Sequence, residues 1–436
     1  MKVIVIGAGP GGLTAALHLH RLGFEVSVHE SVRAIQPLGV GINLLPHAVR
    51  ELTILGLDPA LAAASIATGE LAYYNKFGSL IWSEPRGRGA GYHWPQYSIH
   101  RGRLQMLLLD AAVATLGRDQ VQTGHHLAGF EQDAEGVTAR FTDRVTGEPV
   151  GEVRGDILIG ADGIHSVVRR AFYPSETTPP FGGRILWRGV TEASPFLTGR
   201  TMIMAGNPDV KFVAYPICPD AAARGRALIN WIAELQVGGD KAPIPRDWNR
   251  LADKWQFAPA FAGMKFDWLD VPALIAGAAE VYEFPLVDRD PVPRWSFGRV
   301  TLLGDAAHPM YPVGSNGASQ AILDAAALAT ALGANSDPVA ALQDYESRRL
   351  QPTSQIVLNN RRHGPEIVMQ LAEQRAPSGF KDIADVIPRR ELEEIAQRYK
   401  VAAGFDRDRL NARSEEHTSE LQSHLNLVCR LLLEKK

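Results

Sequence analysis

The pattern of apolar and polar positions at the start of the chain predicts a strand, a helix and a second strand. Residues 2–6 form a short, largely β-branched run that ends at a glycine, which is typical of a buried parallel strand. Apolar residues then recur at helical spacing, at Leu13, Ala16, Leu17 and Leu19. Residues 25–29 form the next short strand. A βαβ unit is therefore expected over residues 2–30.

Further strand-like runs occur later in the chain. Residues 157–159 and 300–303 are short and apolar, and a helix is predicted to start near Ala318. The stretch between them contains other strand-like segments, such as residues 184–188 and 212–216, which we assign to an antiparallel sheet. Residues 339–373 read as largely helical. The fold class expected is α/β, with C-terminal helices.

Length, charge and cysteine content narrow the class of protein. With 436 residues the chain is long enough for two lobes, and its formal net charge of -3 gives no indication of nucleic-acid binding. Two cysteines cannot form a disulfide framework, and no metal-binding cluster is evident. The apolar run begins directly after Met1-Lys2, so we expect no leader peptide, no membrane association and a cytoplasmic setting.

We interpret the last residues of the chain, 413–436, as having an origin different from that of the rest of the protein. Residues 413–423 read RSEEHTSELQS, which matches codon by codon the translation of a common sequencing-adapter oligonucleotide. The alternative is a charged, solvated helix end. We interpret residues 413–436 as an adapter-derived artefact tail and exclude them from the fold prediction.

A GxGxxG pattern connects the first strand to the first helix. Gly7 would permit the tight turn, Gly9 would let the backbone approach a pyrophosphate, and Gly12 would let the helix pack on the strand. The helix N-terminus offers free N–H groups to phosphates. Glu30 ends the second strand, where an acid can bind ribose hydroxyls. The pattern predicts a dinucleotide site but does not distinguish NAD from FAD.

Three later segments resemble the motifs of flavoprotein hydroxylases. SIHRGRLQMLLL (98–109) resembles their arginine-bearing helix start, and the matching Arg101 would reach the FAD pyrophosphate. DILIGADGIHSVVR (156–169) resembles their DG motif, in which Asp162, Gly163 and Arg169 would tie down loops around the cofactor. An N-cap is the alternative or additional role of Asp162.

The third segment is RVTLLGDAAHPMYPVGSNGASQAILDA (299–325), which resembles the GD motif of the same hydroxylases. The resemblance implies that Gly304 and Asp305 belong to the FAD site and that the Asp305 carboxylate binds the ribityl hydroxyls. Pro312, Gly314 and Gly317 match the loop beside the isoalloxazine ring, and we assign Pro312 and Gly314 to the catalytic edge of the flavin. Asn316 and Ser319 stand where the usual pattern has glutamine and asparagine, and both can still make hydrogen bonds, so we also expect Asn316 to bind the cofactor. For His308 we expect a structural, hydrogen-bonded role.

These motifs, in this order, resemble the group A flavoprotein monooxygenases of the p-hydroxybenzoate hydroxylase superfamily. Short segments such as LGVGIN (38–43) and WRGVTE (187–192) resemble members of that family that modify phenazine carboxylates. The resemblance implies bound FAD, NADH or NADPH as co-substrate, O2, and hydroxylation of a small carboxylated or fused-ring aromatic. It also implies a monomer or homodimer without a nucleic-acid or membrane partner.

The implied architecture is a doubly wound βαβ FAD-binding domain with an inserted, mainly antiparallel substrate domain. We expect the FAD-binding domain at residues 1–175 and 296–350, the substrate domain at 176–295 and a C-terminal helical segment at 351–412. Trp187 and Tyr215 are candidate stacking partners for an aromatic substrate, although ordinary core packing is the simpler interpretation of each. Arg188 is a candidate partner for a substrate carboxylate or for another residue of the sheet.

Two other functions fit the same motifs. One is an FAD-dependent reductase or dehydrogenase that never activates O2, and the other is a non-enzymatic flavin-binding module. The flavin-edge loop at residues 312–317 matches the family pattern, which favours an enzyme.

Overall fold

The computed structural model describes residues 1–238 and 250–412, so the predicted artefact tail lies outside the described residues. The strands, in chain order, are β1 Lys2–Ile6, β2 Glu25–Glu30, β3 Gly41–Leu44, β4 Ser65–Ala67, β5 Glu70–Tyr74, β6 Leu80–Pro85, β7 Tyr97–His100, β8 Val121–Thr123, β9 His126–Gln132, β10 Val137–Thr142, β11 Pro149–Gly155 and β12 Ile157–Gly160. They continue with β13 Phe181–Ala193, β14 Thr201–Gly206, β15 Val210–Pro216, β16 Ala227–Gln236, β17 Arg250–Leu251, β18 Lys265–Phe266, β19 Leu269–Asp270, β20 Val281–Val287, β21 Ser296–Phe297 and β22 Val300–Leu302.

The helices begin mostly at proline or after a polar residue, as helix capping favours. In chain order they are α1 Pro10–Arg21, α2 Pro46–Ile54, α3 Asp58–Ala64, α4 Arg101–Leu116, α5 Val167–Phe172, α6 Pro219–Ala223, α7 Val271–Gly277, α8 Gly317–Ala334, α9 Pro338–Arg361, α10 Ile367–Arg375 and α11 Arg389–Ala402. Short 3-10 turns at Gly304–Ala306, Val313–Ser315 and Gly364–Glu366 border the site described below.

A parallel sheet forms the centre of the first layer. Its strand order is β21-β22-β12-β1-β2-β8, with β21 antiparallel to the rest. The inner strands are apolar on both faces because both faces are covered. Helices α1, α4 and α8 pack together on one side, while the antiparallel sheet β11-β10-β9 covers the other. The predicted α/β class is confirmed, but a small sheet rather than helices lies on the second face.

A large sheet of order β17-β20-β13-β16-β15-β14-β5-β6 forms the second layer. Its strands are antiparallel except for β14 and β5, which pair in parallel. Strands β5 and β6 belong to this sheet although residues 70–85 precede the predicted insertion at 176–295. One face packs on α7 and the turns around Phe257 and Phe261, and the other faces the first layer. The domain boundaries themselves stay a prediction.

The C-terminal helices complete the fold. Helix α9 runs continuously across the boundary predicted at residue 350, and α10 and α11 pack over the inner face of the large sheet near β5 and β6. Within the described residues, no helix is both long and apolar enough to cross a bilayer.

Candidate active site

A cavity of about 380 Å³ lies between the two layers. One part of its wall comes from the loops at the carboxyl ends of β1, β12 and β22, where parallel sheets commonly bind ligands. The opposite part comes from the inner face of the large sheet. We call these the FAD side and the substrate side of the cavity, after the motifs that predict them.

The glycine loop on the FAD side needs each of its glycines for a different reason. Gly7 has a φ of +105°, and a Cβ there would lie 2.4 Å from the Ala161 carbonyl oxygen. A Cβ on Gly12 would lie 2.1 Å from the Gly7 carbonyl oxygen. A Cβ on Gly9 would meet nothing within 4 Å, because Gly9 opens into the cavity. The loop therefore has the shape that approach of a pyrophosphate requires.

Glu30 lies at the end of β2, as predicted. Its carboxylate accepts a hydrogen bond from the Ala8 N–H at 2.9 Å and others from the Ser31 hydroxyl and the Val32 N–H. In this structure Glu30 thus ties the glycine loop to β2. Its predicted contact with a ribose stays a prediction.

The DG motif joins two loops of the FAD side. The N-cap residue of α5 is Ser166 and not Asp162; Asp162 accepts hydrogen bonds from the Ser166 hydroxyl and the Val167 N–H and so supports this helix start. Gly163 lines the cavity with a φ of +74°. Arg169 is buried and donates to the carbonyl oxygens of Ala306 and Ala307, directly after the GD motif. Its guanidinium also pairs with Glu176. Arg169 therefore fixes the DG loop to the GD loop.

The GD motif places Gly304 and Asp305 on the cavity wall. The Asp305 side chain is exposed to the cavity, but desolvation by the surrounding walls raises the pKa of its carboxyl above the ordinary value, while His308 and Arg101 partly oppose this. Behind the motif, Asp324 accepts hydrogen bonds from the Gly304 N–H and from Arg349, and its other contact is His308 Nε2 at 2.5 Å. Although burial would raise it, His308 and Arg349 lower the pKa of Asp324 to about 2.

The predicted flavin-edge loop packs against the C-terminal helices. Pro312, Asn316 and Gly317 line the cavity, and α8 begins at Gly317. Gly314 has a φ of +69°, and a Cβ there would lie 1.9 Å from the Tyr399 hydroxyl of α11. The Ser319 hydroxyl accepts from the Leu45 N–H at 3.1 Å. The shape of this loop thus depends on residues far along the chain.

The residues of this side fit FAD. The open position at Gly9 leaves room for a phosphate, and the N-termini of α1 and α8 offer unpaired N–H groups. Asn316 is buried, and its Nδ2 has no hydrogen-bond partner among the described residues. A buried donor without a partner is costly, so this amide is poised for a ligand atom.

The substrate side corrects one expectation. Arg188 and Tyr215 line the cavity, as predicted for substrate contacts. Trp187 does not, because it points to the opposite face of β13, where it stacks on Phe257 with ring centroids 4.8 Å apart. Its Nε1–H donates to Glu283 at 3.2 Å. Trp187 is a core residue of the outer layer.

Several cavity residues were missed in the sequence. The charged residues Lys211, Glu234 and Glu366 line the substrate side although they are buried, and no motif contains them. The available signal was a charge at an inward position of an otherwise apolar strand, as with Lys211 beside Val213 and Tyr215 in β15. The position of Glu366 could not be predicted, because it lies in a turn after α9, a helix that carries no recognisable motif.

Comparison with known proteins identifies the family. A family model described as FAD binding domain matches residues 1–360. Phenazine 1,6-dicarboxylic acid hydroxylase PhzS of Lysobacter antibioticus is 49% identical over 364 residues, which cover 82% of this chain and 89% of that protein. The 3-hydroxybenzoate 6-hydroxylase of Polaromonas naphthalenivorans is 31% identical over 375 residues, covering 84% of this chain and 87% of that protein.

Solved structures agree with this assignment. The structure of Klebsiella pneumoniae HpxO with FAD and uric acid is 25% identical, has a TM-score of 0.73 and covers 92% of this chain and 96% of its own. A salicylate hydroxylase substrate complex is also 25% identical, has a TM-score of 0.72 and covers 94% of this chain and 97% of its own. The chain therefore belongs to the FAD-binding-domain family and is one of its FAD-dependent aromatic monooxygenases, which use NADH or NADPH together with O2.

Proposed function

We propose that this enzyme hydroxylates a flat, fused-ring aromatic carboxylate of the phenazine class. The observation that carries the proposal is the substrate side of the cavity, which combines an apolar floor with a half-buried arginine whose buried Nε has no partner among the described residues. The 49% identity to a phenazine 1,6-dicarboxylic acid hydroxylase supports the same class.

The floor of the cavity suits a flat ring system. Alternate residues of four adjacent strands point inward because side chains alternate between the two faces of a strand. The apolar members of this surface are Leu186, Met202, Met204, Val213 and Ile232. Thioether and aliphatic side chains pack well against aromatic faces, and they exclude water from the reacting atoms.

Arg188 is the group that would bind a carboxylate. Its Nη2–H donates to the Gly41 carbonyl oxygen at 2.9 Å, while its Nε has no partner among the described residues. Burial lowers the pKa of the Arg188 guanidinium, with Tyr215 beside it acting in the other direction. No carboxylate among the ion pairs of the described residues neutralises this half-buried cation, so an anionic ligand at Arg188 is favoured.

The mechanism divides between cofactor and protein. When bound, FAD supplies acceptance of a hydride from the nicotinamide and activation of O2. Gly9, Arg101 and Asp305 would hold it, and Arg188 would orient the substrate carboxylate against the apolar floor. Hydroxylation converts one ring C–H to C–OH, with NAD(P)H, O2 and one proton consumed and NAD(P)+ and water formed.

A decarboxylative route is also open to a ring that bears a carboxyl group. Attack at the carbon that carries this group would form the C–O bond and break the bond to the carboxyl carbon. The products are the hydroxylated ring, CO2, NAD(P)+ and water from the carboxylic acid, O2, NAD(P)H and a proton. Mass analysis of the product separates the two routes.

The test is substrate-stimulated turnover. Purified enzyme with FAD is given NADH or NADPH and phenazine-1-carboxylate, salicylate, 3-hydroxybenzoate or urate, and O2 uptake and product mass are measured. We expect coupled hydroxylation of the phenazine, and a loss of about tenfold or more in kcat/KM in Arg188→Gln, since a charge-assisted hydrogen bond contributes roughly 1.5–3 kcal/mol. Turnover of monocyclic substrates alone would refute the phenazine assignment.

We also propose that the enzyme acts as a monomer or homodimer, on the basis of the family resemblance. Light scattering of the FAD-loaded protein at several concentrations measures this directly. A stable higher oligomer would contradict it.

A further inference from the structure

A second polar group of side chains lies on the substrate side, away from Arg188. Lys211 of β15 contacts Glu234 of β16 at 2.8 Å and Glu366 of the turn Gly364–Glu366 at 2.5 Å. All three line the cavity, and none is more than 8% exposed. We call these three residues, together with Arg184 of β13, the distal cluster.

The charges of the distal cluster are balanced before any ligand binds. Arg184 of β13 contacts Glu234 at 3.1 Å, so two cations face two carboxylates. Three of these four charges are buried, which is unfavourable unless each is well paired, so their retention beside a ligand cavity indicates a function. An ammonium group has three N–H donors, and the two glutamates use two of those on Lys211.

The strand register separates the distal cluster from Arg188 across the apolar floor. Ile232 pairs with Arg188 on one side and with Val213 on the other, whereas Glu234 pairs with Lys211. Lys211 is therefore two strands across and two residues along from Arg188, roughly 12 Å between Cα atoms. A ligand that contacts both ends must extend across the apolar floor between them, which favours a fused-ring aromatic over a single ring.

We propose that Lys211 and Glu366 form a second subsite that holds a further carboxyl group of the substrate, and that this group binds together with one proton. The proposal rests on the proposed function, since it assumes a fused-ring carboxylate with its first carboxylate at Arg188. The third Lys211 N–H donates to the incoming group, and a protonated Glu366 donates to its other oxygen.

Proton uptake follows from the balance of charges. A second carboxylate would leave the distal cluster with one excess negative charge, which the uptake of one proton by the Glu366 carboxylate cancels. Burial already raises the pKa of Glu366, and Glu234 adds to this effect while Lys211 and Arg184 oppose it. Glu366 is therefore the member of the cluster most easily protonated.

The other titratable groups around Glu366 do not take this role. Tyr73 of β5 and Tyr399 of α11 lie near it, and burial raises the pKa of both hydroxyls, so they stay neutral. His363 precedes the turn, and burial lowers the pKa of its imidazole. The proton is thus assigned to Glu366 and not to its neighbours.

The test compares two ligands that differ by one carboxyl group. The dissociation constants of phenazine-1-carboxylate and phenazine-1,6-dicarboxylate are measured with oxidised, FAD-loaded enzyme, from the change in flavin absorbance, between about pH 6.5 and 8.5, where free carboxyl groups are ionised. We expect the dicarboxylate Kd to rise about tenfold per pH unit, the signature of one coupled proton, and the monocarboxylate Kd to stay nearly constant.

Two variants isolate the subsite. Glu366→Gln is permanently neutral, so it should bind the dicarboxylate without the pH dependence. Lys211→Met should weaken the dicarboxylate at least tenfold and change the monocarboxylate less than about threefold. Equal effects on both ligands, or equal pH dependence in the parent, would overturn the second subsite. If neither phenazine binds or turns over, the proposed function fails; if both bind and their dissociation constants respond to pH in the same way, the proposed function stands and only the second subsite fails.

Discussion

The two sides of the cavity are built from different parts of the polypeptide. On the FAD side, backbone groups form much of the wall, and glycines at residues 7, 12 and 314 are required because a Cβ would collide with neighbouring atoms. On the substrate side, single side chains from strands β13 to β16 form the wall, and ion pairs join them. A site made of backbone tolerates few substitutions, whereas a site made of side chains can change its ligand one residue at a time.

The difference also concerns distance along the chain. Gly7, Gly9 and Gly12 lie within one turn and recognise a phosphate that every dinucleotide carries. Lys211 and Glu366 are 155 residues apart and meet only in the folded protein. The FAD side therefore identifies the family, and the substrate side distinguishes its members.

The largest effect is expected from Gly12→Ala. Its Cβ would lie 2.1 Å from the Gly7 carbonyl oxygen, so helix α1 must move away from β1, at a cost of about 3 kcal/mol or more in the free energy of unfolding. FAD content should be lost as well. Chemical denaturation and the flavin absorbance of the purified protein measure both.

Gly9→Ala is the matched control for this prediction. Gly9 has a φ of -75°, which alanine adopts freely, and its Cβ would meet nothing within 4 Å. The apoprotein should unfold within about 0.5 kcal/mol of the parent, yet FAD should bind more weakly because the methyl group occupies the phosphate position. Equal destabilisation by both substitutions would contradict the distinct roles assigned to the two glycines.

The next effect is expected from Arg169→Met. This change removes the buried guanidinium that joins the DG and GD loops and leaves Glu176 with only its longer contact to Arg289 at 3.5 Å, at a cost of roughly 3–5 kcal/mol in the free energy of unfolding. The adjacent Arg170 is exposed, so Arg170→Met should cost no more than about 0.5 kcal/mol. Similar unfolding curves for the two variants would show that Arg169 does not fix these loops.

A smaller effect is expected from Asp305→Ala. The side chain faces the cavity, so its removal should weaken FAD binding by roughly 1.5–3 kcal/mol without unfolding the protein. Asp305→Asn keeps an acceptor oxygen and should fall between the parent and the alanine variant. Titration of the apoprotein with FAD gives the affinities. If Asp305→Ala retains FAD as tightly as the parent, the assignment of the GD motif is incorrect.

Elements whose bounds depend on short-range sequence patterns could be predicted from the sequence. The bounds of β1 and β2 and the start of α4 at Arg101 agree with the prediction, because each is marked by local apolar runs and by glycine or a helix signal. The parallel pairing of β5 with β14 has no local signal, since it joins segments 131 residues apart at Glu70 and Thr201. The same holds for Lys211, Glu234 and Glu366, whose shared position depends on strand register.

The orientation of Trp187 could have been predicted from the sequence. Adjacent residues of a strand point to opposite faces, so Trp187 and Arg188 cannot both contact one substrate from the same strand. Arg188 and Tyr215 share the inner face, and Trp187 therefore points outward. The two-residue period of a strand thus excludes Trp187 from any substrate site that contains Arg188.

The smallest expected effects come from two conservative substitutions on opposite faces of this sheet. Trp187→Phe removes the hydrogen bond to Glu283, so it should lower the free energy of unfolding by about 1–3 kcal/mol and leave the KM for the aromatic substrate within about twofold.

Tyr215→Phe removes a hydroxyl that lies beside Arg188 in the cavity wall. Burial raises the pKa of this hydroxyl to about 12, so it stays a neutral hydrogen-bond donor during turnover, and its loss should raise KM by roughly two- to tenfold. Steady-state kinetics of both variants test this prediction, with thermal unfolding measured in parallel. If KM changes in Trp187→Phe but not in Tyr215→Phe, the substrate binds on the outer face of the sheet, and the proposed function is contradicted.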